Sequence, residues 1–140
     1  MQRVCILSAA QVIAAVFVAL GSGPVLAEAS RNLTADQVQT LAALARDYAS
    51  ADDTADAQLA ACIRPYDEKA ADATEKERVE DALKMVEGTA RRLGYTSYLE
   101  ISDDHERRRL SKMLAEGPWM RQFRSDMERC LAGGADPGTR

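Results

Sequence analysis

Hydrophobic positions recur every three or four residues through most of the chain after residue 33, which is the period of an amphipathic α-helix. The first such stretch follows Thr34, and Gln37 completes the capping-box pattern that begins many helices. The pattern predicts one helix over residues 34–49. Its apolar positions are Val38, Leu41, Ala42, Ala45, Tyr48 and Ala49.

A second, shorter helix is predicted after a polar turn at residues 52–54, in which Thr54 can act as the cap. Pro65 has no backbone N–H and disfavours a helical residue before it, so we expect it to end or bend this helix. The apolar positions between the turn and the proline are Leu59, Cys62 and Ile63.

The most regular apolar stripe lies in the middle of the chain and predicts a third helix. The residues Thr74-Glu75-Lys76-Glu77 repeat the capping-box pattern at its start. Gly94 stands where a residue of left-handed backbone conformation commonly ends a helix. The apolar positions of the stripe are Val79, Ala82, Leu83, Val86, Ala90 and Leu93.

Residues 95–102 combine aromatic and β-branched side chains, which are typical of a strand. The chain has no evident second strand for pairing, and Ser97 with Glu100 repeats the capping-box spacing, so a short helix is favoured. A further helix is predicted to begin at residues 102–104. Its apolar positions are Leu110, Met113 and Leu114.

The last predicted helix follows Gly117, which breaks the chain, and Pro118, which is favoured in a first helical turn. Two glycines at residues 133–134 end it, and residues 135–140 are predicted to be a flexible tail. The apolar positions of this helix are Trp119, Met120, Phe123, Met127, Cys130 and Leu131.

Residues 1–27 differ from the rest of the chain because they hold a single charged side chain. A polar start, an apolar run over residues 12–20 and small residues at the end are typical of a secretory signal peptide. We expect cleavage after Ala27, or alternatively after Ala29, and hence a protein that is periplasmic or secreted. An uncleaved membrane anchor is the competing interpretation, but a spanning helix needs about 20 apolar residues.

Removal of residues 1–27 leaves two cysteines, Cys62 and Cys130, each on the apolar face of its predicted helix. In an oxidising compartment such a pair predicts one disulfide. A redox-active pair is the alternative, but the C-x-x-C spacing that tunes such thiols is missing. The sequence therefore predicts an all-α fold, a small bundle of about five short helices linked by one disulfide, in a single domain over residues 28–134.

Charge is unevenly distributed along the chain. The full sequence has 18 Lys plus Arg and 22 Asp plus Glu, a net charge of −4. Residues 28–87 carry a net charge of −7, whereas residues 88–140 carry +2. The overall acidity excludes a general attraction to nucleic acid, and we expect no membrane span to remain after cleavage.

The positive charge of the second half predicts a possible basic interaction surface for anionic headgroups, cell-wall polymers or an acidic protein surface. The alternative is ion pairing within helices, such as Glu87 with Arg91 and Asp104 with Arg108. The residues of the candidate basic surface are Arg91, Arg92, Arg107, Arg108, Arg109 and Lys112.

Few residues suggest catalytic or metal chemistry. His105 is the only histidine, and its neighbours Asp104 and Glu106 point away from it on a helix, so a solvated side chain is favoured over a metal ligand or general base. The haem-attachment, phosphate-binding and nucleophile motifs are missing, and we expect no cofactor and no metal site. The methionines expected in the core, rather than as ligands, are Met85, Met113, Met120 and Met127.

Three functions remain open on the sequence alone. We expect a non-enzymatic protein-binding factor of the periplasm, such as an inhibitor, an immunity-type protein or a chaperone-like protein, because the mature chain is small and carries no catalytic motif. The partner would be another periplasmic or envelope protein. The alternatives are a structural or assembly accessory of the cell envelope and an enzyme whose active site is a carboxylate pair without a sequence motif.

Overall fold

The computed structural model describes residues 30–50 and 54–133. Over these residues the chain forms helices and no strand, so the predicted all-α bundle is confirmed. The predicted signal peptide and the predicted tail at residues 135–140 lie outside the described residues. The elements are α1 (Ala35–Ala49), α2 (Asp56–Lys69), α3 (Ala73–Arg92), a 3-10 helix (Tyr98–Glu100), α4 (Asp104–Leu114) and α5 (Pro118–Gly133).

Several predicted helix ends are confirmed by hydrogen bonds. The Thr34 hydroxyl accepts the Gln37 backbone N–H at 3.2 Å, and the Gln37 side chain accepts the Thr34 N–H at 2.9 Å, which is a complete capping box. The Asp103 carboxylate caps α4 by accepting the backbone N–H of His105 at 2.9 Å. Gly94 has a φ of 94°, which a side-chain-bearing residue rarely adopts.

Three predicted caps are wrong, although the helices they belong to are present. Asp72, and not Thr74, caps α3, because its carboxylate accepts the backbone N–H groups of Thr74 and Glu75 at 3.0 and 3.1 Å. Helix α2 follows Ala55 without any side-chain cap, so Thr54 does not serve as one. Ser97 precedes the 3-10 helix but makes no capping bond either.

Helix α2 does not end at Pro65, which was one of the two predicted outcomes, but continues to Lys69. A proline inside a helix removes one backbone hydrogen bond, so the last turn needs other stabilisation. Two buried residues supply it. The Tyr66 hydroxyl donates to Asp126 of α5 at 2.5 Å, and Asp67 accepts backbone N–H groups from the segment before α1.

Helix α1 lies at the centre of the bundle, because it packs against each of the other four α-helices and the 3-10 helix. Leu41, Leu44 and Ala45 are each 0 % exposed. Burial of such side chains is the main favourable contribution to folding, at about 25 cal/mol per Å² of apolar surface. The remaining helices therefore surround α1, and their buried apolar residues join those of α1 in one core.

The predicted disulfide between Cys62 and Cys130 is present and joins α2 to α5, with 5.9 Å between the two Cα atoms. Both cysteines are buried. Tyr66 follows Cys62 by one helical turn, and its partner Asp126 precedes Cys130 by one turn. The two contacts therefore align α2 and α5 antiparallel to each other.

The prediction that all four methionines lie in the core is half right. Met120 and Met127 are 1 % and 0 % exposed, but Met85 and Met113 are 43 % and 49 % exposed. Each exposed methionine directly precedes a buried residue, Val86 or Leu114, and so lies about 100° around its helix from the buried stripe. The spacing of apolar residues by three or four positions does not show which of two adjacent apolar residues faces the core.

Candidate functional site

A buried carboxylate connects three elements of the bundle. The Asp47 side chain, on α1, is 0 % exposed. Its Oδ2 accepts the Tyr98 hydroxyl of the 3-10 helix at 2.5 Å and the Arg107 Nε of α4 at 2.8 Å. Burying a charge is costly unless it is paired and hydrogen-bonded, and these two donors meet that need. Asp47 therefore fixes the 3-10 helix and α4 against α1.

Arg107 belongs to this internal network rather than to a basic interaction surface. Besides Asp47, its guanidinium contacts the Asp104 carboxylate at 3.0 Å and donates to the Ile101 carbonyl at 3.3 Å. The hydrogen bond to Asp47 raises the pKa of Arg107, although burial acts in the other direction. Asp104 thus pairs with Arg107, three residues further along the helix. The sequence alone suggested a pair of Asp104 with Arg108 instead.

Sequence reasoning missed Asp47 and Tyr98 as a pair. Burial raises the pKa of the Tyr98 hydroxyl far above its usual range, and the negative charge of Asp47 raises it further. The Tyr98 hydroxyl therefore keeps its proton and donates a hydrogen bond to Asp47. The hydrophobic pattern does not identify this pair, because Asp47 is a charged residue among the buried positions Leu44, Ala45 and Tyr48 of α1.

The other residues of the candidate basic surface lie at two separate places in the chain. Arg91 and Arg92 are exposed in the last turn of α3, where Arg92 donates to the Thr89 hydroxyl at 3.1 Å. Cations at this end of a helix are favoured by the helix dipole, which gives the pair a structural role as well.

Helix α4 carries the remaining three. Arg109 lies 3.8 Å from the Glu106 carboxylate and Lys112 is exposed, whereas Arg108 is half-buried. The structure thus assigns Arg107 to the interior and distributes the others between α3 and α4, two helices that do not pack closely on each other.

Four large apolar side chains stand out because they are exposed on an otherwise polar surface. They are Met85, Leu93, Leu99 and Met113, which we call the exposed apolar set. A methyl group placed on Gly117 would lie 3.9 Å from the Met85 terminal carbon. Met85 therefore lies beside the connection between α4 and α5, close to the end of α4 that carries Met113.

A surface depression of about 410 Å³ between α1 and α3 is lined by two carboxylates, those of Glu80 and Glu87, which lie about two helical turns apart on α3. Lys84 and Arg91 line the same depression and balance its charge. The Glu87 carboxylate also accepts the backbone N–H of Tyr98 at 3.2 Å, which fixes the start of the 3-10 helix against α3. The depression therefore has a structural role through Glu87.

His105 and the acidic residues form no recognisable metal centre. His105 is exposed in the first turn of α4, where its backbone N–H donates to Asp103. Within residues 30–50 and 54–133, no cluster of three or more His, Cys, Asp or Glu side chains could hold a metal ion. No helix in these ranges has the length and apolar character needed to cross a membrane.

The tyrosines of the core provide a first prediction, because Tyr48 and Tyr98 are both buried but differ in their hydroxyl groups. The Tyr48 hydroxyl makes no hydrogen bond with any part of the chain that the structure describes. Tyr48→Phe is expected to leave the free energy of unfolding unchanged or slightly higher, since no hydrogen bond is lost. Tyr98→Phe is expected to lower it by about 2 kcal/mol, because the charged Asp47 loses a buried donor.

Urea unfolding followed by circular dichroism measures both values. In Tyr48→Phe the new ring keeps the edge-on contact that Tyr48 makes with Phe123. Each of the two substitutions therefore removes a hydroxyl group and little else, and their effects can be compared directly. Equal losses for the two variants would contradict the assignment of the Tyr98–Asp47 bond as the stabilising one.

Comparison with protein-family models, with curated proteins and with solved structures finds no match to this chain.

Proposed function

We propose that the protein is an exported, non-enzymatic factor that binds another protein of the periplasm or cell envelope. The observation that carries this proposal is the exposed apolar set. Met85 and Met113 expose close to half of their surface, Met85 beside Gly117 in the α4–α5 connection and Met113 in the last turn of α4 that leads into this connection. Exposed apolar patches are characteristic of interaction sites.

The chemistry of the exposed apolar set favours a protein partner. Methionine is flexible and polarisable, and it is common on surfaces that adapt to apolar groups of a partner. Interfacial membrane binding usually employs exposed Trp or Phe beside Lys and Arg, and the set contains no aromatic residue. The net charge of −4 also opposes binding to an anionic bilayer.

Export is supported by two independent features. The first 27 residues have the organisation of a signal peptide. The buried disulfide between Cys62 and Cys130 is of the kind that persists in oxidising compartments and is rare in the cytosol of most organisms. Amino-terminal sequencing of the protein recovered from the periplasm would begin at Glu28, or at Ser30 if cleavage follows Ala29.

Site-specific photo-crosslinking in the cell tests the proposed surface. A photoreactive amino acid at position 85 or 113 is expected to give one crosslinked product of defined mass, because the partner covers both methionines. The matched control is position 77, which is exposed on the same helix α3 but is occupied by Glu in an acidic environment. We expect no such product from position 77.

A reciprocal variant sharpens the experiment. Met113→Gln is expected to reduce the product from position 85 several-fold, because the change replaces an apolar contact of the same interface by a polar one. Equal labelling from positions 77, 85 and 113, or labelling from 85 that ignores Met113→Gln, would show that this surface is not a specific binding site.

A further inference from the structure

The segment before α1 is attached to the end of α2 by a single carboxylate. Asp67 Oδ1 accepts the backbone N–H groups of Asn32 and Leu33 at 3.0 and 2.9 Å, and Oδ2 accepts that of Arg31 at 2.9 Å. The Asn32 side-chain amide donates in turn to the Asp67 carbonyl at 2.8 Å. We call this arrangement the Asp67 clasp.

The clasp secures an apolar residue at the edge of the core. Leu33 is 6 % exposed and packs in the same cluster as the core residues of α1, whereas Arg31 is exposed and Asn32 is half-buried. Three adjacent backbone N–H groups depend on one side chain for their hydrogen bonds. Such groups are costly to leave unpaired when buried, so the state of the Asp67 carboxyl decides whether this segment stays in place.

The charged groups near Asp67 favour its ionised form. Burial of the carboxyl opposes ionisation, but the three backbone donors and the positive charge of Arg31 outweigh it and hold the pKa of Asp67 below its usual value. Its neighbours Glu68 and Lys69 on α2 are exposed, and the Lys69 ammonium lies over the Tyr66 ring at 5.8 Å. Because the folded-state pKa is lowered, the clasp contributes its stability above about pH 4 and loses it as the pH falls further.

We propose that the Asp67 clasp is an acid-released latch, in which protonation of one carboxylate frees residues 31–33 and uncovers the apolar site that Leu33 occupies. A protonated carboxyl accepts hydrogen bonds less well and has one oxygen that is a donor, so it does not retain all three N–H groups. The latch acts on this segment alone, because α2 remains linked to α5 by the disulfide and α1 keeps its contacts with four helices.

The neutral variant Asp67→Asn weakens the clasp at neutral pH, because its amide keeps one acceptor oxygen and replaces the other by an NH2 donor. Trypsin cleaves after arginine, and Arg31 lies inside the clasp. We expect cleavage after Arg31 in the mature protein to be at least about tenfold faster in Asp67→Asn than in the wild type, because the segment opens more often. The matched control is Glu68→Gln, which neutralises the exposed carboxylate next to Asp67 and is expected to stay within about twofold of the wild type.

Amide hydrogen exchange of the wild-type protein between about pH 6 and about pH 2 completes the test. After correction for the intrinsic pH dependence, we expect protection of the Asn32 and Leu33 amides to fall before that of the α1 and α5 amides. In Asp67→Asn these two amides are expected to be less protected than in the wild type already at neutral pH. Loss of protection at one common pH, or equal trypsin cleavage in Asp67→Asn and the wild type, would overturn the latch.

Discussion

Replacing Cys62 by serine is expected to lower the free energy of unfolding by about 4 kcal/mol, which is the chain-entropy estimate for a loop of this length. The disulfide closes a loop with a sequence separation of 68 residues, and its loss frees that loop in the unfolded state. Cys130→Ser is expected to have the same effect, since either substitution removes the same bond. A domain of this size is usually stable by about 5–15 kcal/mol, so the loss is a large share of the total.

Urea unfolding of the mature protein measures the change, with the double variant as the control. The double variant should be no less stable than either single variant, because the bond is already absent from each of them. Titration of the denatured wild-type protein with a thiol reagent should find no free thiol. Two reactive thiols in the wild type, or unequal losses in the two single variants, would contradict the structural role of the bond.

Asp47→Asn is expected to give the second-largest loss, about 3 kcal/mol of unfolding free energy. The substitution leaves the Arg107 guanidinium, of which 21 % is exposed, without its buried counter-charge, and it weakens the acceptor of the Tyr98 hydroxyl. Breaking a buried ion pair by changing one partner typically costs about 3–5 kcal/mol. The loss should be visible as a lower midpoint in urea and a lower Tm.

Two comparisons isolate the buried pair. Asp81→Asn removes an exposed carboxylate 3.6 Å from Lys84 and is expected to change the stability little, as exposed ion pairs usually do. The double variant Asp47→Leu with Arg107→Leu should recover part of the loss, because it leaves no unpaired charge in the interior. If the double variant is less stable than Asp47→Asn, the hydrogen bonds among Asp47, Tyr98 and Arg107 stabilise the fold by more than the mutual neutralisation of the two charges.

The helices were predictable from the sequence because each one contributes a single apolar stripe to the shared core. Periodicity located all five, and local chemistry located the start of α1 through Thr34 and the turn at Gly94. Caps were less predictable: Asp72 and Thr74 both offer an oxygen near the first turn of α3. The backbone conformation decides between them, and that conformation depends on how α2 and α3 are connected.

Contacts between distant parts of the chain explain the remaining differences. Pro65 does not end α2, because Tyr66 and Asp67 are held by residues far away in the sequence. Asp47 is buried because Arg107, 60 positions further along the sequence, meets it in the folded state. A pattern of hydrophobic and polar positions treats such a charged residue as solvent-facing, so it cannot identify either partner.

The candidate site was less predictable than the fold for a related reason. Met85 and Met113 are exposed because each helix turns the next residue, Val86 or Leu114, toward the core instead. The two choices differ by about 100° around the helix axis, and the spacing of apolar residues does not distinguish between them. The basic surface was predicted from charge along the sequence, whereas the structure uses Arg107 internally. The surface that supports a binding function was therefore visible only after the helices had been placed.

The position of the disulfide divides the molecule in an unexpected way. The bond converts residues 62–130 into a covalently closed ring that contains α3, the 3-10 helix, α4 and most of α5. Helix α1 lies outside this ring although it is the central helix. In topological terms the protein is a macrocycle with one tail, and the central helix belongs to the tail. Helix α1 is therefore joined covalently to the ring only through the chain that leads to Cys62, and all its other contacts with the ring are non-covalent.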